Sequence, residues 1–195
     1  PAEMHRTLMR AFPPVSGVSP RAALGVLFRI EDDDGRARVI VQSEVEPNWD
    51  ALPDGYLTEV ESKSIDEALQ GIRDGRVLRF LLVANPTRKI DRPGREQGRR
   101  VPLRSDEARH EWLVRRGERH GFELAGSGPH DGVRIDRVLA PRRPRSGSRS
   151  RITIDAVRYE GRLVVRDAEQ LVDAVRAGIG PAKAYGCGLL SLAPA

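Results

Sequence analysis

Cysteine, lysine and aromatic residues are scarce in this 195-residue chain, and it has no long apolar run. The single cysteine, Cys187, excludes an internal disulfide framework, which fits a reducing cytoplasm. No apolar stretch approaches the roughly 18 residues that a membrane helix needs, so we expect neither a membrane span nor a membrane partner. The length suits one domain of ordinary size or two small ones packed together.

Positive charge is in excess, because 33 Lys and Arg residues face 28 Asp and Glu residues and give a formal net charge of +5. Only Lys63, Lys89 and Lys183 are lysines, so 30 of the basic residues are arginine. The planar guanidinium fork suits bidentate contacts with phosphate, and the net charge favours an anionic partner. A coding bias toward arginine explains the surplus equally well, so the positions of the arginines are more informative than their number.

The first half of the chain alternates helical and extended patterns. The apolar periodicity and turn residues predict a helix over Glu3–Phe12, a hairpin of Leu24–Ile30 and Arg38–Val45 turned at Asp32 to Gly35, a helix over Ser64–Gln70 and a strand over Arg76–Ala84. The order helix, strand, strand, helix, strand is that of a ferredoxin-like βαββαβ unit whose first strand is missing.

The second half repeats this rhythm. The elements predicted there are a strand over Arg99–Leu103, a helix over Ser105–Arg119, short strands over Gly121–Leu124 and Val133–Leu139, a hairpin of Arg151–Tyr159 and Arg162–Arg166 turned at Glu160-Gly161, a helix capped by Asp167 and ended by Gly178, and a strand over Gly188–Ala193. We therefore predict an α+β protein of two tandem ferredoxin-like, RRM-like domains, residues 1–90 and 91–195.

Four glycines punctuate the connection between the last helix and the last strand. They are Gly178, Gly180, Gly186 and Gly188, in the pattern Gly-apolar-Gly, five residues, Gly-apolar-Gly. Such a loop can present backbone N–H groups to phosphates or allow close packing against another segment, and a plain tight connection is the alternative. A dinucleotide fingerprint does not fit, because that motif follows a strand and opens a helix.

With this tail the chain resembles the CasE-type endoribonucleases of the type I-E CRISPR Cascade complex, within the wider family of CRISPR RNA-processing ribonucleases. The other segments that carry the resemblance, in the family's order, are Glu3 to Leu8 (EMHRTL), Val41 to Ser43 (VQS), Leu78 to Phe80 (LRF), Ala84 to Pro86 (ANP), Gly98 to Leu103 (GRRVPL) and Tyr159 to Leu163 (YEGRL). The resemblance implies a cytoplasmic protein, monomeric when isolated, whose partners are the repeat hairpin of precursor CRISPR RNA and the other Cascade subunits.

The resemblance also implies a reaction without metal or other cofactor, in which a ribose 2′-OH attacks the neighbouring phosphate and leaves a 2′,3′-cyclic phosphate and a 5′-OH. His5 matches the family's catalytic histidine, and its near-neutral pKa suits either a general acid or a general base. Arg6 and Arg10, on the same helix, are expected to contact phosphate. Family members usually carry a tyrosine three residues before this histidine, where this chain has Ala2, so we expect weakened cleavage.

RNA binding is expected to rely on shape and charge, since the major groove of A-form RNA is too deep and narrow for general side-chain reading. The family docks a basic hairpin of its second domain along the RNA stem, and the comparable stretch here holds Arg137, Arg142, Arg143 and Arg145. Further candidates are Arg88, Lys89, Arg99, Arg100 and, within the glycine-rich loop, Lys183. A solvated loop is the alternative for the first group.

Other residues suggest chemistry less strongly. His110, His120 and His130 recur every ten residues, a step that does not keep one helical face, so no metal site is predicted. Cys187 is expected to be a small core residue rather than a nucleophile. Two alternatives to an endoribonuclease stay open: a non-catalytic subunit that binds the CRISPR RNA hairpin, and a basic ferredoxin-like module that binds another protein.

Overall fold

The computed structural model describes residues 2–16, 19–33, 35–90, 99–138 and 154–195. The α-helices in these residues are α1 (Ala2–Leu8), α2 (Pro20–Ala23), α3 (Asp66–Gln70), α4 (Asp106–Arg119) and α5 (Ala168–Ala177). The strands are β1 (Leu27–Asp33), β2 (Arg36–Gln42), β3 (Val77–Ala84), β4 (Thr87–Ile90), β5 (Arg99–Pro102), β6 (Phe122–Leu124), β7 (Arg134–Arg137), β8 (Val157–Val165) and β9 (Leu190–Pro194). Short 3-10 helices include Met9–Ala11 and Lys183–Tyr185. No helix within these ranges is long and apolar enough to cross a membrane.

The strands form antiparallel sheets, as expected for an α+β protein. The largest has the order β6-β8-β3-β9. The strands β6 and β7 both pair with the same edge of β8, β6 with its C-terminal half and β7 with its N-terminal half. Two separate hairpins, β1-β2 and β4-β5, complete the strand pairing. The order of the large sheet places β3 and β8 in its centre, where both strands contribute buried side chains to the main core.

The hairpin of β1 and β2 confirms the first strand pair predicted from the sequence. Its turn uses Gly35, whose φ of +82° favours glycine, and the Gly35 N–H donates to Asp32 Oδ1 at 2.9 Å. Leu27 and Phe28 of β1 are fully buried. Since Phe28 lies beneath α1, this hairpin positions the first helix and its side chains.

The predicted hairpin turned at Glu160-Gly161 is wrong, because β8 runs unbroken through both residues. Gly161 lies opposite Phe80 of β3, and a Cβ at Gly161 would lie 3.2 Å from the Phe80 ring and 3.1 Å from Val133. The glycine is needed for the close approach of an aromatic side chain and not for a turn. A glycine after a charged residue gives the same signal in both situations.

The strand β3 does not close a sheet of the first half, as the sequence suggested. It pairs with β8 on one side and β9 on the other, and both belong to the predicted second domain. Its inward side chains pack under α4 and α5 in one core with Trp112 and Leu171. A strand cannot be assigned to its sheet from local pattern alone, because the alternation of buried and exposed residues is the same whichever neighbour it pairs with.

The helix ends agree with the sequence signals. Ser105 Oγ accepts from the N–H of Ala108 at 3.2 Å, and Asp167 Oδ1 accepts from the N–H of Gln170 at 2.9 Å. Gly178, with φ +78°, ends α5.

The strand that pairs with β5 was not predicted from the sequence. It is β4, and the register places Lys89 opposite Arg100.

Candidate active site and nucleic-acid interface

His5 lies on α1 with its ring parallel to that of Phe28, at an interplanar angle of 7° and a centroid separation of 6.2 Å. Its Nδ1 is buried and has no hydrogen-bond partner among the described residues. Burial, and after it the charge of Arg21, lowers the pKa of His5 below 6.5. The imidazole is therefore neutral at pH 7 and able to accept a proton.

Arg21 acts on His5 through its charge, and nothing in the sequence predicted that role. It lies in the short helix α2, is half-buried, and donates from one guanidinium nitrogen to the Val26 carbonyl at 3.2 Å. Its charge also contributes to lowering the pKa of Lys183. No motif marks Arg21 in the sequence, because the fold alone brings α2 beside α1.

Lys183 enters the same region from the C-terminal end of the chain. It opens a 3-10 helix that packs against α1 and β1, and its Nζ donates to the Ala177 carbonyl at 2.7 Å. His5, Arg21 and Lys183 thus come from three separate segments and contribute to one positively charged region. An imidazole near such cations can move a proton beside a phosphate whose charge the cations offset.

The glycine-rich loop packs tightly against two parts of the molecule. All four of its glycines have positive φ, from +78° to +96°. A Cβ at Gly178 would lie 2.8 Å from Leu27 of β1, and one at Gly180 would lie 3.0 Å from Trp112 of α4. The N–H groups of Gly178, Gly186 and Gly188 all donate to backbone carbonyls, so they are not free to bind phosphate.

Two predicted RNA-binding residues, Arg100 and Lys183, meet at a cleft of about 300 Å³ beside this loop. Arg116 of α4 and His120, the residue that follows the helix, line the same cleft and were not predicted to bind RNA. Burial lowers the pKa of each, and neighbouring cations lower it further. None of the described residues that line the cleft is acidic, which makes it strongly attractive to anions.

The other predicted basic residues lie at the surface. Arg6 and Arg10 are exposed on α1 and on the 3-10 helix that follows it. Arg88, Lys89, Arg99 and Arg100 are brought together by the hairpin of β4 and β5. Arg137 is exposed at the end of β7, 3.4 Å from Asp155. Arg142, Arg143 and Arg145 lie outside the described residues.

The spaced histidines and Cys187, for which no catalytic role was predicted, lie in different surroundings. His110 and His130 do come together, with ring centroids 5.2 Å apart, and His110 Nε2 lies 3.0 Å from Asp131 Oδ2. In the described ranges no group of three or more His, Cys, Asp or Glu side chains is suited to hold a metal ion. Cys187 is buried, and burial raises the pKa of its thiol to about 12, which leaves it without nucleophilic character at neutral pH.

Comparison with known proteins gives one consistent result. A family model described as CRISPR associated protein matches residues 1–194. The chain is 38% identical over 200 residues to the CRISPR-associated endoribonuclease Cse3 of Thermus thermophilus, covering 100% of this chain and 90% of that protein. It is 33% identical over 204 residues to the CRISPR system Cascade subunit CasE of Escherichia coli, covering 98% and 91%.

A solved structure of Thermus thermophilus Cse3, bound to an RNA that represents a pre-cleavage complex, superposes with a TM-score of 0.80 at 35% identity. The match covers 99% of this chain and 88% of that one. The similarity therefore extends over the whole fold and includes both the His5 region and the glycine-rich loop.

Proposed function

Because the chain belongs to the family of CRISPR-associated proteins, we propose that it is an endoribonuclease that binds the repeat hairpin of precursor CRISPR RNA, cleaves it, and stays bound as a Cascade subunit. Its relatives are named an endoribonuclease and a Cascade subunit, and one of them has been captured with RNA. A cytoplasmic location and a monomeric state in isolation remain predictions of this proposal.

The observation that carries the proposal is the convergence of His5, Arg21 and Lys183. The pKa of the imidazole is lowered by burial and by Arg21, so its neutral form prevails at pH 7. The charge of Arg21 acts on the ring, and the 3-10 helix that begins at Lys183 packs against α1. This is the set of groups that RNA cleavage by an internal hydroxyl requires: a proton acceptor and positive charge next to the phosphate.

In the proposed reaction His5 takes the proton of the ribose 2′-OH as a general base. The 2′-oxygen then forms a bond to phosphorus while the bond from phosphorus to the 5′-oxygen breaks, and the leaving oxygen takes up a proton. The products are a 2′,3′-cyclic phosphate and a 5′-OH. Arg21 and Lys183 offset the negative charge that builds up on the phosphate oxygens, and no metal ion takes part in this scheme.

The RNA stem is proposed to lie along the exposed basic residues. The surface consists of Arg6, Arg10, Arg88, Lys89, Arg99, Arg100, Arg137 and Lys183, with Arg142, Arg143 and Arg145 as its continuation outside the described residues. Lys89 and Arg100 lie opposite each other across the β4-β5 hairpin, an arrangement that is unfavourable until an anion binds between or beside them.

The finer description of the fold belongs to the same proposal. The order β9-β3-β8-β6, with α4 between β3 and β6 and α5 between β8 and β9, supports a complete ferredoxin-like βαββαβ unit. We place its start at Val77 and not at residue 91, with β4, β5 and β7 as additions. The first unit would then comprise α1, β1, β2 and α3.

Incubating the chain with an end-labelled repeat hairpin in EDTA tests the proposal. Cleavage that leaves a 2′,3′-cyclic phosphate and a 5′-OH is the expected result. A shift in RNA mobility without cleavage would favour the non-catalytic hairpin-binding subunit, for which the alanine at residue 2 is the supporting observation. If the RNA is neither cleaved nor bound, the proposal is contradicted and the protein-binding module is the alternative that is left.

A further inference from the structure

The cleft lies where the consecutive elements β5 and α4 meet the glycine-rich loop, which follows them by about 60 residues. It is lined by Arg100, Arg116, His120, Gly178, Gly180, Pro181 and Lys183 and encloses about 300 Å³. Trp112 holds the two sides of the cleft together. The Arg116 guanidinium lies 5.1 Å over the indole ring, and Gly180 packs against the edge of that ring. The Arg116 head group is thus held at the cleft before any ligand arrives.

The side chains of the cleft repel one another. Arg116 is half-buried among Arg119, Arg100 and Arg115, and His120 faces Arg116, Lys183 and Arg119. In each case burial is the larger cause of a lowered pKa, and the neighbouring cations add to it. A group of cations that is partly desolvated, with no acid among its described neighbours in the lining, costs free energy that a bound anion recovers.

Lys183 connects the cleft to the His5 site. It lines the cleft, and after burial the main causes of its lowered pKa are Arg21, which acts on His5, and Arg116, which stands in the cleft. A polyanion that has one phosphate at His5 therefore meets Lys183 next and then Arg116 and His120. An isolated small anion would not need this continuous path.

We propose that this cleft is a second phosphate-binding site, in which Arg116 and His120 grip a backbone phosphate of the same RNA strand away from the cleavage point. The inference rests on the proposed function and extends it to two residues that have no role in the chemical step. Bound phosphate favours the imidazolium form of His120, so RNA binding takes up a proton there. The affinity for RNA consequently decreases as pH rises through the range in which His120 loses its proton.

Two neighbouring arginines of α4 provide a matched test. Arg116 lines the cleft, whereas Arg115 is exposed and pairs with Glu111 at 3.5 Å. With a repeat hairpin made uncleavable by a 2′-deoxy sugar at the cleavage point, Arg116→Ala should raise Kd by about 10- to 100-fold, the range for one charge-assisted hydrogen bond. Arg115→Ala should leave Kd within about twofold. Arg115→Ala should also cleave normal hairpin at the parent rate.

Arg116→Ala removes packing on Trp112 as well as a charge, so a second variant is needed to test phosphate binding in the cleft. His120→Asn serves this purpose, because it removes the group whose protonation the bound phosphate favours. It should bind as the parent does at high pH and lose the gain in affinity that the parent shows on acidification. Equal Kd values for the Arg115 and Arg116 variants would overturn the proposal, as would an unchanged pH dependence in His120→Asn.

Failure of the proposed function gives a different result. A parent protein that binds no hairpin would contradict the function itself, and inorganic phosphate then tests the cleft alone. NMR titration of the His120 ring should show a higher pKa with phosphate than with chloride at equal ionic strength. The same pKa in both salts would overturn the second site.

Discussion

At the scale of single residues, the electrostatic setting of His5 decides its chemistry. The ring is stacked on Phe28, its Nδ1 is buried, and a guanidinium stands nearby, so the neutral imidazole is favoured at pH 7. A histidine in the same sequence motif but in open solvent would be partly protonated near neutrality. The sequence motif predicts a catalytic role for His5, and the fold shows which protonation state its neighbours favour.

The pH dependence of cleavage follows from this setting. As a general base His5 works when deprotonated, so kcat/KM should rise with pH and level off, with a midpoint below 6.5 because burial and Arg21 lower the pKa of the ring. Arg21→Gln removes a cation that disfavours the imidazolium, so the midpoint should move up toward 6.5. The measurement is a pH series of single-turnover cleavage at subsaturating protein in the His120→Asn background, so that proton uptake by the His120 ring on binding does not enter. Arg176→Gln, on α5, serves as the control and should leave the midpoint in place.

A rate that falls with rising pH through the same range would contradict the general-base role and assign His5 as the general acid. A midpoint that Arg21→Gln leaves unmoved would show that burial alone sets the pKa.

The residue three positions before His5 offers a gain-of-function test. Members of the resembling family usually have a tyrosine there, and a positioned phenol contributes through one proton-transfer or hydrogen-bonding step. Ala2→Tyr should therefore raise the single-turnover rate by about 10- to 100-fold. Ala2→Phe supplies the ring without the hydroxyl and should not do so. If the tyrosine variant cuts no faster than the parent, the alanine at this position does not limit cleavage.

At the scale of elements, β8 shows how one glycine changes the interpretation of a segment. Gly161 faces Phe80 from the middle of the strand, where a Cβ would meet Phe80 and Val133 at 3.2 and 3.1 Å. Gly161→Ala should therefore lower the free energy of unfolding by about 1 to 3 kcal/mol through overpacking, although strand propensity alone predicts a gain.

Urea unfolding measures this difference. Gly71→Ala is the matched control, because Gly71 has a right-handed helical φ of −78° and its added Cβ would meet atoms no closer than 3.4 Å. It should be neutral or slightly stabilising. A Gly161→Ala protein at least as stable as the parent would show that the neighbours of Gly161 can move aside.

Local sequence signals predicted most helices and strands, but they predicted less well which strands pair with each other. Ser105 and Asp167 cap α4 and α5 as expected, and the first hairpin pairs as its alternating pattern indicates. The assignment of β3 to the first half and the turn at Gly161 were wrong, because both depend on which strand lies alongside. A pattern with a period of two defines a strand and its buried face, and it leaves the neighbouring strand undetermined.

Some residues of the candidate site could be predicted from local sequence, and others could not. His5, Lys183 and Arg100 could be named from motif and composition, since each stands in a segment of the resembling family. Arg21, Arg116 and His120 could not, because their contribution comes from the packing of α2 and α4 beside distant segments. The roles of all these residues stay predictions until variants are measured.

At the scale of the whole molecule, several basic residues meet where separate segments come together. Arg21 and Lys183 lie beside His5, Arg100 and Arg116 line the cleft, and the β4-β5 hairpin adds a further basic group. Binding to this surface should release counterions from the RNA, so affinity should fall steeply as salt rises.

Two of the three lysines permit a controlled test of that surface. Lys89 lies in the β4-β5 hairpin, and Lys63 lies outside all the proposed RNA contacts. In a plot of log affinity against log salt, Lys89→Ala should make the slope shallower by about 0.7 to 0.9, the value for one lost phosphate contact, and Lys63→Ala should leave it unchanged. A parent slope near zero would contradict a phosphate-binding surface altogether.

The central proposal is that His5, set among cations by the fold, performs the cleavage. The most direct measurement is the single-turnover rate of repeat-hairpin cleavage in EDTA by the parent, by His5→Ala and by His110→Ala, whose ring pairs with Asp131. The rate of His5→Ala should fall by about 10²- to 10⁴-fold while binding is retained and His110→Ala cuts at the parent rate. Cleavage by His5→Ala as fast as by the parent would contradict the proposal.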